Sequence, residues 1–521
     1  PREAAEPDSS GRLRVAAVLD EVSAACFAFD CELVQLSPEG WEEQLDELAP
    51  HFLLAESAWA AKRPDFAALR VLSALTDECR KRDIPTVFWN TEDPTEFERF
   101  LEAASRFDHV FTVDAGCVPR YRELGGFRSV AALPFAAQPR LHNPAAVVEA
   151  RSMSPCFAGA WYGDRHPDAR RHLEDLLDAA RPYGLVIYDR PDGPEEPAPG
   201  FPERFQPHIV GQLPYERLVD VYKSHEVFLN ANPVLDSPTM CSRRALELAG
   251  CGTAVLSTPA KALAALLDGA IPEAATREEA SAELVRLLAD RSYRERLTRS
   301  ARRRVFARHT YRHRLAEIAA AVGVPFDPGA ETRVAGLVFL DDEAGDLGGL
   351  TAMLAAQSRP LDELVLATSV AATLDPAAIE RTLRGPKVRL SRHDDLAAAT
   401  FGDLAAHAST PWLICPDLDC SYSSFLIEDL QAAATFAAAD VIGSVPGEPG
   451  EPVVQHTPVA AVHPHGAVAR RDVVSARDWP RPGTDDGWAR LREWSAEGLA
   501  IYATDADLIA GSERGSLPPA S

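Results

Sequence analysis

The stretch SPTMCSRRALELAGCGTAVLSTPA, Ser237–Ala260, carries the strongest fold signal in the chain. It reads as an amphipathic helix, a Cys-Gly turn and a short apolar strand. The run before it, EVFLNAN, Glu226–Asn232, reads as another strand. Strand, helix and strand in close succession are the pattern of a parallel α/β sheet. Arg243 and Arg244 fall in the first turns of the helix, and Glu247 lies one turn deeper. Packing alone asks for no such pair of bases and an acid near a helix start.

Ligands of open parallel sheets bind beyond the carboxyl ends of the strands. EVFLNAN ends near Asn230, and PVLDSPTM crosses that edge before a helix expected to start within Thr239, Met240, Cys241 and Ser242. The amides of a helix start are unpaired and sit at the positive end of the dipole, where a phosphate fits. Arg243 and Arg244 add fork-shaped donors suited to phosphate. Glu247, at its depth, can accept hydrogen bonds from a ribose diol. Gly252 and Thr253 supply a turn that lets the backbone come close. Together these parts describe a nucleotide-diphosphate pocket. The competing reading makes Glu247 a solvated helix residue, with the two arginines as its i−4 and i−3 partners.

Working outward, the same alternation runs through the whole chain. LRVAAVL (Leu13–Leu19), HFLLAE (His51–Glu56), TVFW (Thr86–Trp89), HVFTVD (His109–Asp114) and SVAALPF (Ser129–Phe135) read as strands. The segment around residues 136–144 is Pro-rich and aperiodic, as a linker is. Strands and helices resume with SPCFAGAWYGDRH, GLVIYDR and PYERLVDVYKSH. A second linker, Val324–Arg333, precedes a third α/β pattern beginning VAGLVFL. The expected organisation is a disordered lead-in over 1–11, Rossmann-like domains over 12–144 and 145–326, and a further α/β domain over 333–521.

The 521 residues are too many for one core. A net charge of −25 argues against nucleic acid and anionic membranes as partners. The Arg-rich run Arg291–Arg314 carries interleaved acids and reads as a solvated helical face. Nine scattered cysteines without a C-x-x-C read as buried, reduced thiols of a cytoplasmic protein. No apolar run approaches the roughly 18 residues of a membrane span.

Candidates for the other side of a cleft follow the first-domain strands: Asp20, Glu21, Glu56, Ser57, Asn90, Glu92 and Asp93. A general base must reach the hydroxyl it deprotonates, and Asp93 and Glu92 are the candidates for that role. Asp93-Pro94 also fits a helix cap with proline at the first helical position. His109 opens a strand and reads as structural. In the second domain, Gly159, Trp161 and Tyr162 border the expected pocket, with aromatic packing as the alternative. Lys223 could reach a phosphate or snorkel. In the third domain, Asp417 and Asp419 follow an apolar strand, and two carboxylates at that spacing can share a hard divalent ion such as Mn2+ or Mg2+. Nearby His463 and His465 either close that site or are loop residues.

SRRALELAGCGTAVLST resembles the signature of retaining GT-B glycosyltransferases of family 4, in which the acid before the Cys-Gly turn contacts the donor ribose. The resemblance gives that role to Glu247. It also places a second acid eight residues earlier, where this chain has Thr239, so retention or inversion at the anomeric centre is open. The chain before the second linker resembles the CgeB-type (spore-maturation-like) bacterial glycosyltransferases through LLAESAW, IPTVFWNTEDPTEFERF, FDHVFTVDAGCVPRY, LPFAAQPRLHNP, FAGAWYGDRHPDARR and LPYERLVDVYKSHEVFLNANPVLDSPT. This implies two Rossmann-like domains facing a cleft, the donor mainly on the second, with no cofactor required there. The third domain resembles GT-A glycosyltransferases of family 2 through its opening, the Asp417–Asp419 segment and PGTDDGWARLREWSAEGLAIYATD. By that resemblance Asp485 or Asp486 would activate the acceptor. Its early loop, LDDEAGD, and the end of its second strand, LVLATS, depart from the family pattern.

The expectation is therefore a glycosyltransferase. It takes a nucleotide-diphosphate sugar, a UDP-sugar first of all, and a glycan, protein or small-molecule acceptor. Its third domain is either active or accessory. The rivals are a glycan- or nucleotide-binding scaffold and a GT-B-fold nucleotide-sugar epimerase.

Overall fold

The computed structural model describes residues 12–57, 69–161, 167–190, 200–340, 343–383, 385–446, 453–477, 479–482 and 487–510. The chain divides into two compact units, Pro1–Pro328 and Gly329–Ser521.

The first unit holds two parallel sheets. One has six strands in the order β2-β1-β3-β4-β5-β6: β1 (Arg14–Val18), β2 (Glu32–Gln35), β3 (Phe52–Glu56), β4 (Thr86–Asn90), β5 (His109–Thr112) and β6 (Ser129–Ala132). β3 and β4 are buried along their whole length, because helices cover both faces of a parallel sheet. Successive side chains of β1 serve opposite faces: Val15 and Ala17 join one apolar cluster, Ala16 and Val18 another. β2 is a short, partly exposed edge strand with little apolar signal in the sequence.

The other sheet has the order β11-β10-β7-β8-β9: β7 (Cys156–Gly159), β8 (Val186–Asp189), β9 (Ile209–Gly211), β10 (Val227–Asn230) and β11 (Ala254–Ser257). The helix between β10 and β11 is Arg243–Gly250. It starts later than expected: Thr239–Ser242 form the loop before it, and Ser242 is its N-cap.

One apolar cluster runs from the first sheet (Leu13, Trp89, Phe135) into the second (Phe228, Leu246) and the closing helices (Tyr311, Leu315). Those helices, Arg291–Arg308 and Tyr311–Val322, are not simply a solvated face. Arg294, Arg302 and Arg314 are buried. Arg314 donates to the carbonyls of Pro134 (2.7 Å) and Phe135 (3.1 Å) and pairs with Glu317 at 2.8 Å, which stitches the last helix to the end of the first sheet. The 136–144 linker is likewise buried at Gln138, His142 and Asn143. All nine cysteines are free thiols, and only Cys420 is not buried.

The second unit is built on an eight-stranded sheet of order β14-β13-β12-β15-β19-β17-β20-β18. Its strands are β12 (Val334–Phe339), β13 (Glu363–Ser369), β14 (Lys387–His393), β15 (Trp412–Ile414), β17 (Val441–Gly443), β18 (Thr457–Pro458), β19 (Val468–Arg470) and β20 (Ile501–Ala503). β12 to β15 run parallel, and β19 is antiparallel to β15. A separate pair joins β16 (Ser421–Tyr422) to β21 (Ile509–Ala510).

Candidate functional site

Strand order locates the crevices. In the first sheet, β1 leads outward to β2 and β3 returns on its other side, so the order reverses between β1 and β3. In the second, it reverses between β7 and β10. A crevice opens beyond the carboxyl ends at each reversal. Asp20 follows β1 and Glu56 ends β3; Gly159 ends β7 and Asn230 ends β10.

Arg243 joins the two crevices. Its Nη2 lies 3.4 Å from Glu56 Oε1 and 3.7 Å from Asp20 Oδ2, and its guanidinium stands over the Phe135 ring. Both carboxylates are buried. Glu56 also accepts from Thr91 Oγ1 at 3.1 Å and from the Asp20 amide at 3.3 Å, while Asp20 caps the next helix through the Ser23 amide at 2.6 Å. Burial opposes the charged form, but Tyr311 and the carboxylates of Asp20, Glu56 and Glu247 outweigh it and push the Arg243 pKa up. Arg243 is thus a compensated cation, which corrects the expectation that it is free for a phosphate.

Arg244 is different. Its guanidinium lies over Phe157, beside Tyr222, and its buried Nε has no hydrogen-bond partner. Arg190, just past β8, joins it: the Arg190 amide bonds the Gly159 carbonyl at 3.2 Å. A Cβ at Gly159 would stand 3.1 Å from Arg244 Nη2, so glycine there leaves the arginine its place. Arg190 is open to solvent, but the protein walls around it lower its pKa, and the Arg244 and Arg243 charges act in the same direction. Among the described residues, neither Arg190 nor Arg244 has a carboxylate partner. Two guanidinium groups without a carboxylate partner among the described residues therefore stand within each other's field at the carboxyl edge of the second sheet, with the Asp20 charge acting on Arg190 in the opposite sense. Arg190 was missed in the sequence; its only signal was its place at the end of GLVIYDR.

Glu247 is 2% exposed, too buried for a solvated helix residue. Tyr215 donates to its Oε1 at 2.7 Å and Tyr222 to its Oε2 at 3.3 Å. His142 Nε2 lies 2.8 Å from the Tyr215 hydroxyl and 3.9 Å from Glu247 Oε1. Burial pushes the His142 pKa down to about 4, so the ring is neutral near pH 7. In the sequence the two tyrosines read as the core face of a helix, and His142 as part of an aperiodic linker.

The loop before the helix is occupied elsewhere. Thr239 Oγ1 donates to the Val113 carbonyl at 2.7 Å and accepts from the Ala115 amide at 2.8 Å. Ser237 donates to Asp114 Oδ1 at 2.6 Å and accepts from the Met240 amide at 2.8 Å. The Ser242 amide goes to Asn232 Oδ1 at 2.9 Å, and Cys241 is buried. The amides of Met240 and Ser242 are therefore already paired, and Thr239 bonds the first sheet's β5 loop.

Several expected contacts belong to the framework. Lys223 is buried and donates to Asn143 Oδ1 at 3.0 Å, not toward the crevice. Gly252 and Thr253 lie at the opposite edge of the sheet, because the helix Arg243–Gly250 returns antiparallel to the strands. Arg151 holds them there through the Gly252 carbonyl at 3.0 Å and Thr253 Oγ1 at 2.9 Å. Trp161 is buried against Phe201 and Phe205; Tyr162 lies outside the described residues. Asn230 is fully buried and donates to Ser257 Oγ at 2.9 Å.

Asp93 does not cap a helix; the next one, Phe97–Ala104, has Glu96 at its N-cap. Asp93 is instead fully buried, accepting from Asn90 Nδ2 at 2.8 Å and Thr112 Oγ1 at 2.6 Å, with its pKa raised to about 6 by desolvation. Both oxygens are engaged inside the fold. Glu92 is half-buried, and its amide bonds Asn90 Oδ1 at 3.1 Å. His109 is buried against Ser129 at 2.7 Å, as expected of a structural residue.

In the second unit, Asp417 stands where the order reverses between β12 and β15. Its Oδ1 accepts from the Asp419 amide at 2.9 Å, and Asp419 is exposed. Among the described residues no group of three or more His, Cys, Asp or Glu side chains is arranged to hold a metal ion. His465 is buried with Nδ1 3.2 Å from the Cys415 carbonyl, and His463 packs edge-on to Trp488. Asp485 and Asp486 lie outside the described residues. No described helix is long and apolar enough to cross a membrane.

Residues 170–320 match the Glyco_trans_1_2 family model, described as glycosyl transferase-like. That segment holds Arg190, Tyr215, Arg243, Arg244 and Glu247. No curated protein matches the chain. Among solved structures, the chain is similar to an alpha-glucosyltransferase in complex with UDP-glucose and DNA containing an abasic site, at 14% identity and a TM-score of 0.41, over 59% of this chain and 90% of that one. It is similar to a glycosyltransferase from Rickettsia africae ESF-5, at 10% identity and a TM-score of 0.36, over 59% and 97%. It is also similar to T4 phage BGT in complex with UDP and Mn2+, at 10% identity and a TM-score of 0.38, over 60% and 100%.

Proposed function

We propose that the first unit is a glycosyltransferase that binds a nucleoside-diphosphate sugar at the carboxyl edge of its second sheet. The observation that carries this reading is that Arg190 and Arg244, which have no carboxylate partner among the described residues, share the carboxyl edge of the second sheet with the buried carboxylate of Glu247. A diphosphate supplies the charge the arginines lack, and each charge-assisted bond to it is strong. Glu247 then accepts from the ribose. The family-model match spans all three residues and supports the same chemistry.

The sugar would face the first sheet, where Asp20 and Glu56 stand at the carboxyl ends of β1 and β3. Arg243 pairs with both. A UDP-sugar is the first donor to try, and a glycan, protein or small molecule the acceptor. The CgeB-type kinship and a GT-A character of the second unit belong to this proposal; the parallel β12–β15 core with antiparallel β19 suits the latter. Asp417 and Asp419 are the residues that would hold a divalent cation in that unit.

The test is turnover by the full chain. UDP-, GDP-, dTDP- and ADP-sugars are incubated with it, and released nucleoside diphosphate and recovered sugar are measured. Release that disappears in Arg244→Ala supports the reading. Conversion of the donor to its epimer without release supports the epimerase instead. Binding without either supports the scaffold.

A further inference from the structure

Three side chains, His142, Tyr215 and Tyr222, form a directed set of hydrogen bonds that ends on Glu247. The Gln138 amide donates to His142 Nδ1 at 2.9 Å, so the ring proton sits on Nε2. That nitrogen faces the Tyr215 hydroxyl at 2.8 Å and donates to it. Tyr215 has one proton, and it goes to Glu247 Oε1 at 2.7 Å. Tyr222 takes the other oxygen at 3.3 Å. Every donor in the chain has one acceptor, and the neutral state of His142 agrees with the assignment.

Tyr215 differs from the rest in exposure and placement. His142 and Tyr222 are fully or nearly fully buried, whereas Tyr215 is only partly buried. It is the first residue of the helix Tyr215–Ser224, which follows β9 and runs back toward the start of β10. Its position is therefore at the carboxyl edge of the sheet, the edge on which Arg190 and Arg244 stand.

We propose that Tyr215 is the resident occupant of the ribose subsite, a gate whose hydroxyl holds Glu247 Oε1 until a ribose hydroxyl of a nucleoside diphosphate displaces it. The inference rests on the donor-site reading above and adds a specificity-determining residue to it. A hydroxyl already in the subsite makes a charge-assisted bond that an incoming ligand must equal. A ribose diol presents two donors and can replace Tyr215. A 2′-deoxyribose offers fewer and competes poorly. The gate therefore sharpens the choice of ribonucleotide over deoxyribonucleotide. His142 keeps the carboxylate company when Tyr215 leaves, since its Nε2 is already 3.9 Å from Oε1.

Calorimetric titration of the full chain with UDP, GDP and ADP, each beside its 2′-deoxy counterpart, tests the gate in wild type, Tyr215→Phe and Glu247→Gln. Phenylalanine keeps the ring and removes only the competing hydroxyl. The expected result is that Tyr215→Phe binds the preferred nucleotide about three- to tenfold more tightly, the worth of one such bond. Its preference for ribose over deoxyribose also shrinks, while Glu247→Gln loses affinity. If Glu247→Gln weakens binding but Tyr215→Phe leaves it unchanged or weaker, the gate is wrong and the donor site stands. If wild type binds none of the nucleotides, the donor site itself is wrong and the gate goes with it. Thermal melting of each variant confirms that it is folded.

Discussion

Arg243 Nη2 stands 3.4 Å from Glu56 Oε1, so an arginine on the second sheet's helix is tied to a carboxylate that ends a strand of the first. The Glu56 carboxylate is fully buried and the Arg243 side chain 18% exposed. Removing the arginine strands a buried charge, which costs far more than a surface pair does. Arg243→Met is expected to lower the unfolding free energy by about 3 kcal/mol, and adding Glu56→Gln should recover part of that loss. Urea denaturation of the two single variants and the double variant measures the coupling.

A methyl group at Gly159 should act on the ligand site and little on the fold. It would meet Phe157 Cζ at 3.0 Å and Arg244 Nη2 at 3.1 Å. The guanidinium is the flexible neighbour and is expected to yield. Gly159→Ala should therefore weaken nucleotide binding about tenfold, equivalent to about 1.4 kcal/mol, with its melting temperature near that of wild type. Titration and melting of the one variant check both halves of the prediction.

Asp93 predicts a pH dependence. Desolvation raises its pKa from 3.8 to about 6, so the folded protein binds a proton more tightly there than the unfolded chain does. Between those values the folded state holds more protons, and stability falls as pH rises. The contribution is greatest below the unfolded value and is lost by the time pH passes the folded one. A shift of that size corresponds to about 2–3 kcal/mol. Denaturation of wild type and Asp93→Asn between pH 4 and 7 should show a falling difference, wild type minus variant, that levels off above pH 6. A flat difference would remove Asp93 as its source.

Lys223 serves as the control. Its amine reaches Asn143 inside the linker contact, away from Arg190 and Arg244. Lys223→Met should change stability by about 1 kcal/mol or less, the worth of one hydrogen bond, and leave nucleotide affinity within about twofold. A large loss of affinity would instead support a phosphate role for Lys223.

The parallel strands were legible because both of their faces are buried. LRVAAVL, TVFW and EVFLNAN are continuous apolar runs, and each is a strand. β2 and β9 were not legible, since short, partly exposed edge strands carry little periodicity. At the site, Arg243, Arg244 and Glu247 stood out as charged residues on an otherwise apolar helix. What the sequence could not say is which charge meets which. Arg243 and Arg244 are neighbours, yet helical geometry turns one toward Glu56 and the other toward Gly159. Gly252 and Thr253 looked close to the pocket along the chain, but the antiparallel return of the helix carries them to the far edge. Arg190 and Tyr215 come from other elements, and only the sheet order brings them near.

The central claim is that Arg190 and Arg244 form an anion site for a nucleoside diphosphate. Its most direct test is titration of UDP, GDP, dTDP and ADP into wild type, Arg190→Ala and Arg244→Ala, with EDTA present. The account predicts metal-independent binding to wild type, with a loss of about ten- to a hundredfold in each variant, as charge-assisted bonds to a phosphate are removed. Failure of every nucleotide to bind, or binding that both variants retain at full strength, would contradict it.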